Sequence, residues 1–377
     1  MKLETLAFDR NQQWSNRFPD LDSESTLVLV FGASEYLSAP EPIQELVRAY
    51  PRAVVAGCST SGEIHGTLVQ DGSLSVAIAR FEHTTLRSAA TEVTQACDSY
   101  GAGALLARDL EAPDLRAVLV FSDGLGVNGS ELVRGLNAVL KGAAVVTGGL
   151  AGDGDRFQKT WVLRHGKPQA GVVSAVGLYG ERCRVGHGSK GGWDIFGPER
   201  LVTRSEGNVL YELDGQPALQ LYKEYLGERA AGLPATALLF PLSIRADGDD
   251  KRIVRTILAV DEASQTMTFA GDVPQGSRAQ LMRANFDRLV DGAGEAALMA
   301  NAADEPDGDT LSIAISCVGR RLVLGERTEE ELEAALQVLP SRTQQVGFYS
   351  YGELSPYASG HCDLHNQTMT LTTLGEQ

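Results

Sequence analysis

The run GCSTSGE (57–63) decides how this chain is read, because the segments around it recur twice more. Upstream lies the apolar run TLVLVFG (26–32), which has the length and composition of a buried strand. Between the two, Ile43, Leu46, Val47 and Tyr50 fall at i, i+3, i+4 and i+7, one face of a helix. Ser38 and Glu41 have capping-box spacing and Pro51 stops the helix. A second strand at 53–56 leads into the glycine turn. Downstream, 67–69 and 74–78 flank Asp71-Gly72 and read as a hairpin.

The second copy has a strand at 117–121, a helix face of Leu132, Leu136, Val139 and Leu140, and a strand at 143–147. Asn128 and Glu131 repeat the capping spacing. The turn is GGLAGD (148–153), and 161–163 and 172–178 flank His165-Gly166 as a hairpin. The third copy starts at Leu311 and repeats the capping pair as Thr328 and Glu331. Its helix face is Leu332, Ala335, Leu336 and Leu339, its turn GFYSYGE (347–353), and its last strand 368–374. A period of roughly 90 residues is too long for a solenoid. A duplicated strand–helix–strand–hairpin unit accounts for it, with the helix as the right-handed crossover between parallel strands.

The expected fold is therefore mixed α+β and α/β, with repeated units forming sheets flanked by helices, in two domains. Residues 1–200 hold two units. Residues 201–377 hold an antiparallel insert and the third unit. Within the insert, 217–226 reads as a helix, 238–244, 253–260 and 266–270 as strands, and 279–290 as a helix. The acidic loops 246–250 and 304–309 read as solvated turns.

Composition narrows function. Lys plus Arg is 33 against 49 Asp plus Glu, a net charge of −16, which repels nucleic acid and anionic lipid surfaces. No apolar run reaches the ~18 residues of a membrane span. The five cysteines are scattered without a CxxC pair, as in reduced cytosol, so a cytoplasmic protein is expected. The sequence leaves a homo-oligomer open and does not give the oligomeric state.

Several chemistries lack their residues. The G-x4-G spacing at 57–62 matches a phosphate loop, but Glu63 stands where Lys is required and would repel phosphate. A nucleophile elbow lacks its closing glycine, and an enzyme built on Cys58 or Ser59 lacks an organised base, so no enzyme is expected. None of the six histidines has metal-dense spacing. Three Gly/acid turns in equivalent places point to a shared ligand cleft. Its candidate residues are Gly57, Cys58, Ser59, Gly62 and Glu63, then Gly148, Gly149 and Gly152, then Tyr349, Tyr351, Gly352 and Glu353.

The segments GCSTSGEI (57–64), GGLAGDG (148–154), EGNVLYELDG (206–215), GDVPQGS (271–277), GFYSYGEL (347–354) and LHNQTMTL (364–371) together resemble FIST proteins, over nearly the whole chain. The resemblance implies an N-terminal and a C-terminal FIST domain and an intracellular sensory role for small ligands. GHGSKGGWDIFGPER (186–200) is similar to the bacterial nitric-oxide-sensing branch, which binds haem and modulates a sensor histidine kinase. That likeness implies a non-covalent haem held by His187 or His365, with Trp193 packing nearby and Lys190 reaching a propionate. Gly186, Gly188, Gly191 and Gly192 would leave room for the macrocycle, and Asn366 and Gln367 would orient His365. The alternative is a haem-free sensor of a small metabolite such as an amino acid.

Overall fold

The computed structural model describes residues 1–233, 235–246, 248, 252–301, 308–356 and 360–377. Three six-stranded sheets share one plan. In each, two parallel strands sit at the centre: Thr26–Gly32 with Val54–Ser59, Leu115–Ser122 with Val145–Leu150, and Thr310–Cys317 with Thr343–Ser350. Helices Glu41–Ala49, Gly129–Leu140 and Thr328–Gln337 make the crossovers. An antiparallel strand returns beside the first of each pair: Leu74–Arg80, Val172–Tyr179 and Met369–Glu376. An outer strand follows: Lys2–Phe8, Thr85–Glu92 and Cys183–Lys190.

The remaining two strands of every sheet come from another repeat. The hairpin Val162–Arg164/Lys167–Gln169 of the second repeat completes the first sheet. Gly352–Pro356/Cys362–His365 of the third completes the second. Glu63–His65/Leu68–Gln70 of the first completes the third. This cyclic exchange corrects the expected hairpins. Residues 74–78 and 172–178 do not pair within a local hairpin but run through their own sheets. The reason is burial. Val172–Tyr179 is buried at every position, which suits a strand between two neighbours rather than a hairpin arm.

Strand alternation divides the apolar residues. Leu27, Leu29 and Phe31, Ala117, Leu119 and Phe121, and Leu311, Ile313 and Ile315 share one core between the sheets. Phe31, Phe121 and Phe348 meet there with ring centroids 4.8, 5.6 and 6.4 Å apart. The alternate residues face the helices, as Val28 and Val30 do beneath Ile43 and Leu46.

Capping differs among the crossovers. Asn128 accepts from the Glu131 amide at 3.1 Å, as its spacing predicts. The first helix starts at Pro40 without a side-chain cap. Thr328 donates back to the Gly325 carbonyl, and Glu331 is drawn away to Arg320.

An eight-stranded antiparallel sheet, residues 194–283, is inserted between the outer strand of the third repeat and helix Phe286–Ala300. Residue 200, the expected boundary, lies inside its strand Asp194–Glu206. Helix Ala218–Leu226 forms as expected. Residues 238–244 split into a 3-10 turn ending at Leu239 and the strand Leu242–Arg245. The helix expected at 279–290 is instead the strand Arg278–Arg283 followed by Phe286–Ala300, because Asn285 caps the helix there. The acidic loops 246–250 and 304–309 fall largely outside the described residues. Among the described residues no helix is long and apolar enough to cross a membrane.

Candidate functional site

The three glycine turns converge. Gly57, Gly148 and Gly347 pair in register with Val30, Val120 and Ala314. A β-carbon on any of them would stand 1.8 Å from that partner's carbonyl oxygen. Beyond them the backbone closes a ring. The Ser61 amide donates to Tyr349 O (2.7 Å), the Gly152 amide to Ser59 O (3.0 Å) and the Tyr351 amide to Leu150 O (3.1 Å). These are the same two positions of each turn, so the repeats are joined by equivalent bonds.

Beside the ring lie three buried carboxyl seats. Glu63 accepts from Thr60 Oγ1 and from the Ser73 amide (2.9 Å) and hydroxyl (2.8 Å). Glu353 accepts from Ser350 Oγ (2.6 Å) and from the Thr368 amide (3.2 Å) and hydroxyl (2.8 Å). Burial pushes Glu63 up to about 7 and Glu353 up to about 8, against the pull of those donors. In the second repeat the register places Val162 where the other two have glutamate. Asp123 fills that seat from the end of a strand, taking the Gly171 amide (3.2 Å) and Thr160 Oγ1 (2.7 Å). Asp153 is therefore not the counterpart of Glu63. It binds the Tyr351 hydroxyl (2.5 Å) and the amides of Phe157, Gln158 and Lys159.

An open cleft of about 810 Å³ lies over the first seat, between the first and third repeats, with the turn of the second repeat along one side. Thr60, Ser61 and Glu63 form its floor, and Gly154 and Arg156 one wall. The opposite wall is helix Val318–Leu324, which carries Arg321. Arg321 holds both Asp71 oxygens at 2.7 Å and the Ser61 carbonyl at 2.6 Å. Its hydrogen bonds hold the Asp71 carboxyl below its usual range. Gly62 makes room for this, since a β-carbon there would sit 2.5 Å from Arg321 Nη1. Arg156 bridges Glu35 (2.6 Å), Ser34 Oγ (3.0 Å) and the Asp153 carbonyl (2.7 Å). Arg10 bonds the Asp71 carbonyl. Fixed guanidinium groups, carboxylates and hydroxyls thus surround one space.

The remaining sequence candidates hold the floor up. Gly57, Cys58 and Ser59 are buried strand residues, and burial pushes the Cys58 thiol well up. Ser59 Oγ accepts the Trp161 amide (3.0 Å). Gly149 and Gly152 pack against Ile315 and Ser61, and Gly352 against Leu364. Tyr349 donates to Glu331 (2.7 Å), and Tyr351 stacks on Phe157 at 4.4 Å. Sequence reasoning missed Arg10, Glu35, Asp71, Arg156 and Arg321. Only Asp71-Gly72 carried a signal, and it read as a hairpin turn.

The structure places the two histidine candidates on different sheets and does not bring them together, and among the described residues the buried Nδ1 of His187 has no hydrogen-bond partner. His187 lies on Cys183–Lys190, where side chains alternate between faces. Gly186 and Gly188 therefore clear the face opposite to the imidazole. Helix Phe286–Ala300 fills that space, with the Ala300 and Ala296 carbonyl oxygens 1.8 and 2.0 Å from the positions of added β-carbons. Lys190 pairs with Glu295 (3.2 Å), and buried Trp193 donates to Gln367 O (2.7 Å). His365 is buried on another sheet with Nε2 3.0 Å from Ser355 O, while among the described residues the Asn366 side-chain amide has no hydrogen-bond partner.

Repeated sheets joined around a ligand-sized cleft define a class of binding module. Models of the FIST N domain and the FIST C domain match residues 26–216 and 218–356, so the chain belongs to the FIST family. FIST domains are generally sensory domains of signal transduction. An uncharacterised protein of Methanocaldococcus jannaschii is 26% identical over 227 residues, 55% of this chain and 41% of its own length. The chain thus spans less than half of that relative. An uncharacterised protein of Mycobacterium tuberculosis strain H37Rv is 26% identical over 284 residues, covering 72% and 71%. A crystal structure of cyanuric acid hydrolase from A. caulinodans aligns with 78% of this chain and 99% of its own, at 11% identity and a TM-score of 0.19, a likeness too weak to bear on function.

Proposed function

We propose that this chain is a haem-free sensory module whose cleft between the first and third repeats takes a small zwitterionic metabolite, such as an amino acid. The observation that carries this reading is the mixture of fixed charges around one open space. Arg156 pairs with Glu35 and Arg321 with Asp71, so a ligand carboxylate would share the two guanidinium groups and a ligand ammonium the two carboxylates. A charge-assisted hydrogen bond is worth about 1.5–3 kcal/mol, so each contact changes affinity roughly 10- to 100-fold. A ligand touching both Thr60–Ser61 and Arg321 would tie the first repeat to the third. The partner that the resemblance implies, a sensor histidine kinase, would read that change.

The test is calorimetry and thermal shift across the common amino acids and their deaminated analogues. At least one amino acid should stabilise the wild type saturably, and Arg321→Gln should weaken it at least about tenfold. Absence of any saturable ligand, or equal binding by Arg321→Gln, overturns the reading. Protein purified with a haem supply should be colourless; a stoichiometric Soret band would restore haem.

A further inference from the structure

A second cavity, of about 570 Å³, lies on the inserted sheet where it meets the second repeat. Its back wall is Arg255, on the short strand Ile253–Arg255 and only 6% exposed. The guanidinium meets carbonyl oxygens: Nε to Asp272 O (2.9 Å), and Nη1 to Leu364 O (3.0 Å) and Val254 O (3.2 Å). Among the described residues no hydrogen bond uses Nη2, and no carboxylate lies within ion-pair distance of Arg255. A buried cation of this kind is expensive, and buried charges are normally paired. Burial pulls Arg255 down to about 10, opposed by the field of Asp272 and Asp363.

Among the described residues, the other groups on the cavity supply no anion to Arg255. Arg245 is taken up by Glu199 at 2.7 Å. Asp272 turns its carboxylate to Asn128 Nδ2 at 3.4 Å. Ser130, in the first turn of helix Gly129–Leu140, lies across the cavity, where the helix end favours negative charge. Ile244, Ile253 and Pro274 are the apolar lining.

We propose that this cavity is a second ligand site, for a small organic monocarboxylate with an apolar body. The carboxylate would sit on Arg255 Nη2 and the body against Ile244, Ile253 and Pro274. Asp272 would discriminate against dianions, since Arg255 and Asp272 together leave little net charge. A ligand here would touch both the second repeat and the inserted sheet.

The probes are 4-methylpentanoate, 4-methylpentan-1-ol and inorganic phosphate, titrated into the full chain by calorimetry. The carboxylate should bind saturably, with the alcohol and phosphate at least about tenfold weaker, and Arg255→Met should lose at least about tenfold. No saturable binding of the carboxylate, equal binding of phosphate, or unchanged binding by Arg255→Met overturns the proposal. If Arg255→Met does not fold, Ile253→Asp decides. It puts a carboxylate beside the guanidinium and should abolish binding; retained binding overturns the site. Arg321→Gln should bind the probe like the wild type, so failure at the first cleft is distinguishable from failure here.

Discussion

Glu63 shows what one buried carboxyl does to the whole protein. Its folded value, raised by burial to about 7 from 4.5, means that the folded state holds the proton more tightly than the unfolded chain. That stabilisation is fully present below the unfolded value and is lost as pH rises through about 7. One such shift is worth up to about 3 kcal/mol. Urea unfolding of the wild type should therefore give falling stability between pH 5 and pH 8. Glu353, raised to about 8, adds to the same slope, so Glu63→Gln should reduce it and not abolish it, and an unchanged slope would show that Glu63 does not titrate there. At the same scale, Gly57→Ala and Gly148→Ala each place a methyl against a strand carbonyl where the backbone also has φ of +147°. Each should cost at least about 3 kcal/mol in urea unfolding, by overpacking and strain together.

The elements divide into those whose sequences carry their address and those whose do not. Thr26–Gly32 is the buried strand that its apolar run predicts, and Asn128 caps its helix at the predicted spacing. Those features rest on neighbours a few residues away, so they were legible. Asn128→Ala should cost about 1 kcal/mol in thermal unfolding. The hairpin Glu63–His65/Leu68–Gln70 was not legible as a partner of the third sheet. Two three-residue arms carry too little pattern to say which edge they cover. The cleft was half legible for the same reason. Its floor follows from the repeated turns, whereas Arg321 and Asp71 meet across 250 residues. Glu331 looked like a capping residue and is in fact the buried partner of Arg320, which also serves the Leu289 carbonyl (2.8 Å). Glu331→Gln leaves that guanidinium unpaired and should cost about 3–5 kcal/mol, measured by urea unfolding.

At the scale of the molecule, hairpin exchange means that none of the three repeats completes its own six-stranded sheet. Residues 1–182, expressed alone, would lack the two hairpin strands of the second sheet and would leave Glu63–His65 without Thr343–Ser350. This fragment should be protease-sensitive alone and should recover protection when mixed with residues 183–377. Independent folding of the fragment, shown by a cooperative thermal transition, would refute that dependence. The same exchange also speaks to descent. A solitary copy of the unit would carry one homeless hairpin and one vacant sheet edge. Three identical copies would satisfy each other head to tail and close after one turn, as a ring with heterologous interfaces does. Fusion of three such genes would convert a homotrimer into a single chain. Each seam would then be free to diverge: one carries the arginine-lined cleft, and another has Asp123 in the seat that holds glutamate in the other two.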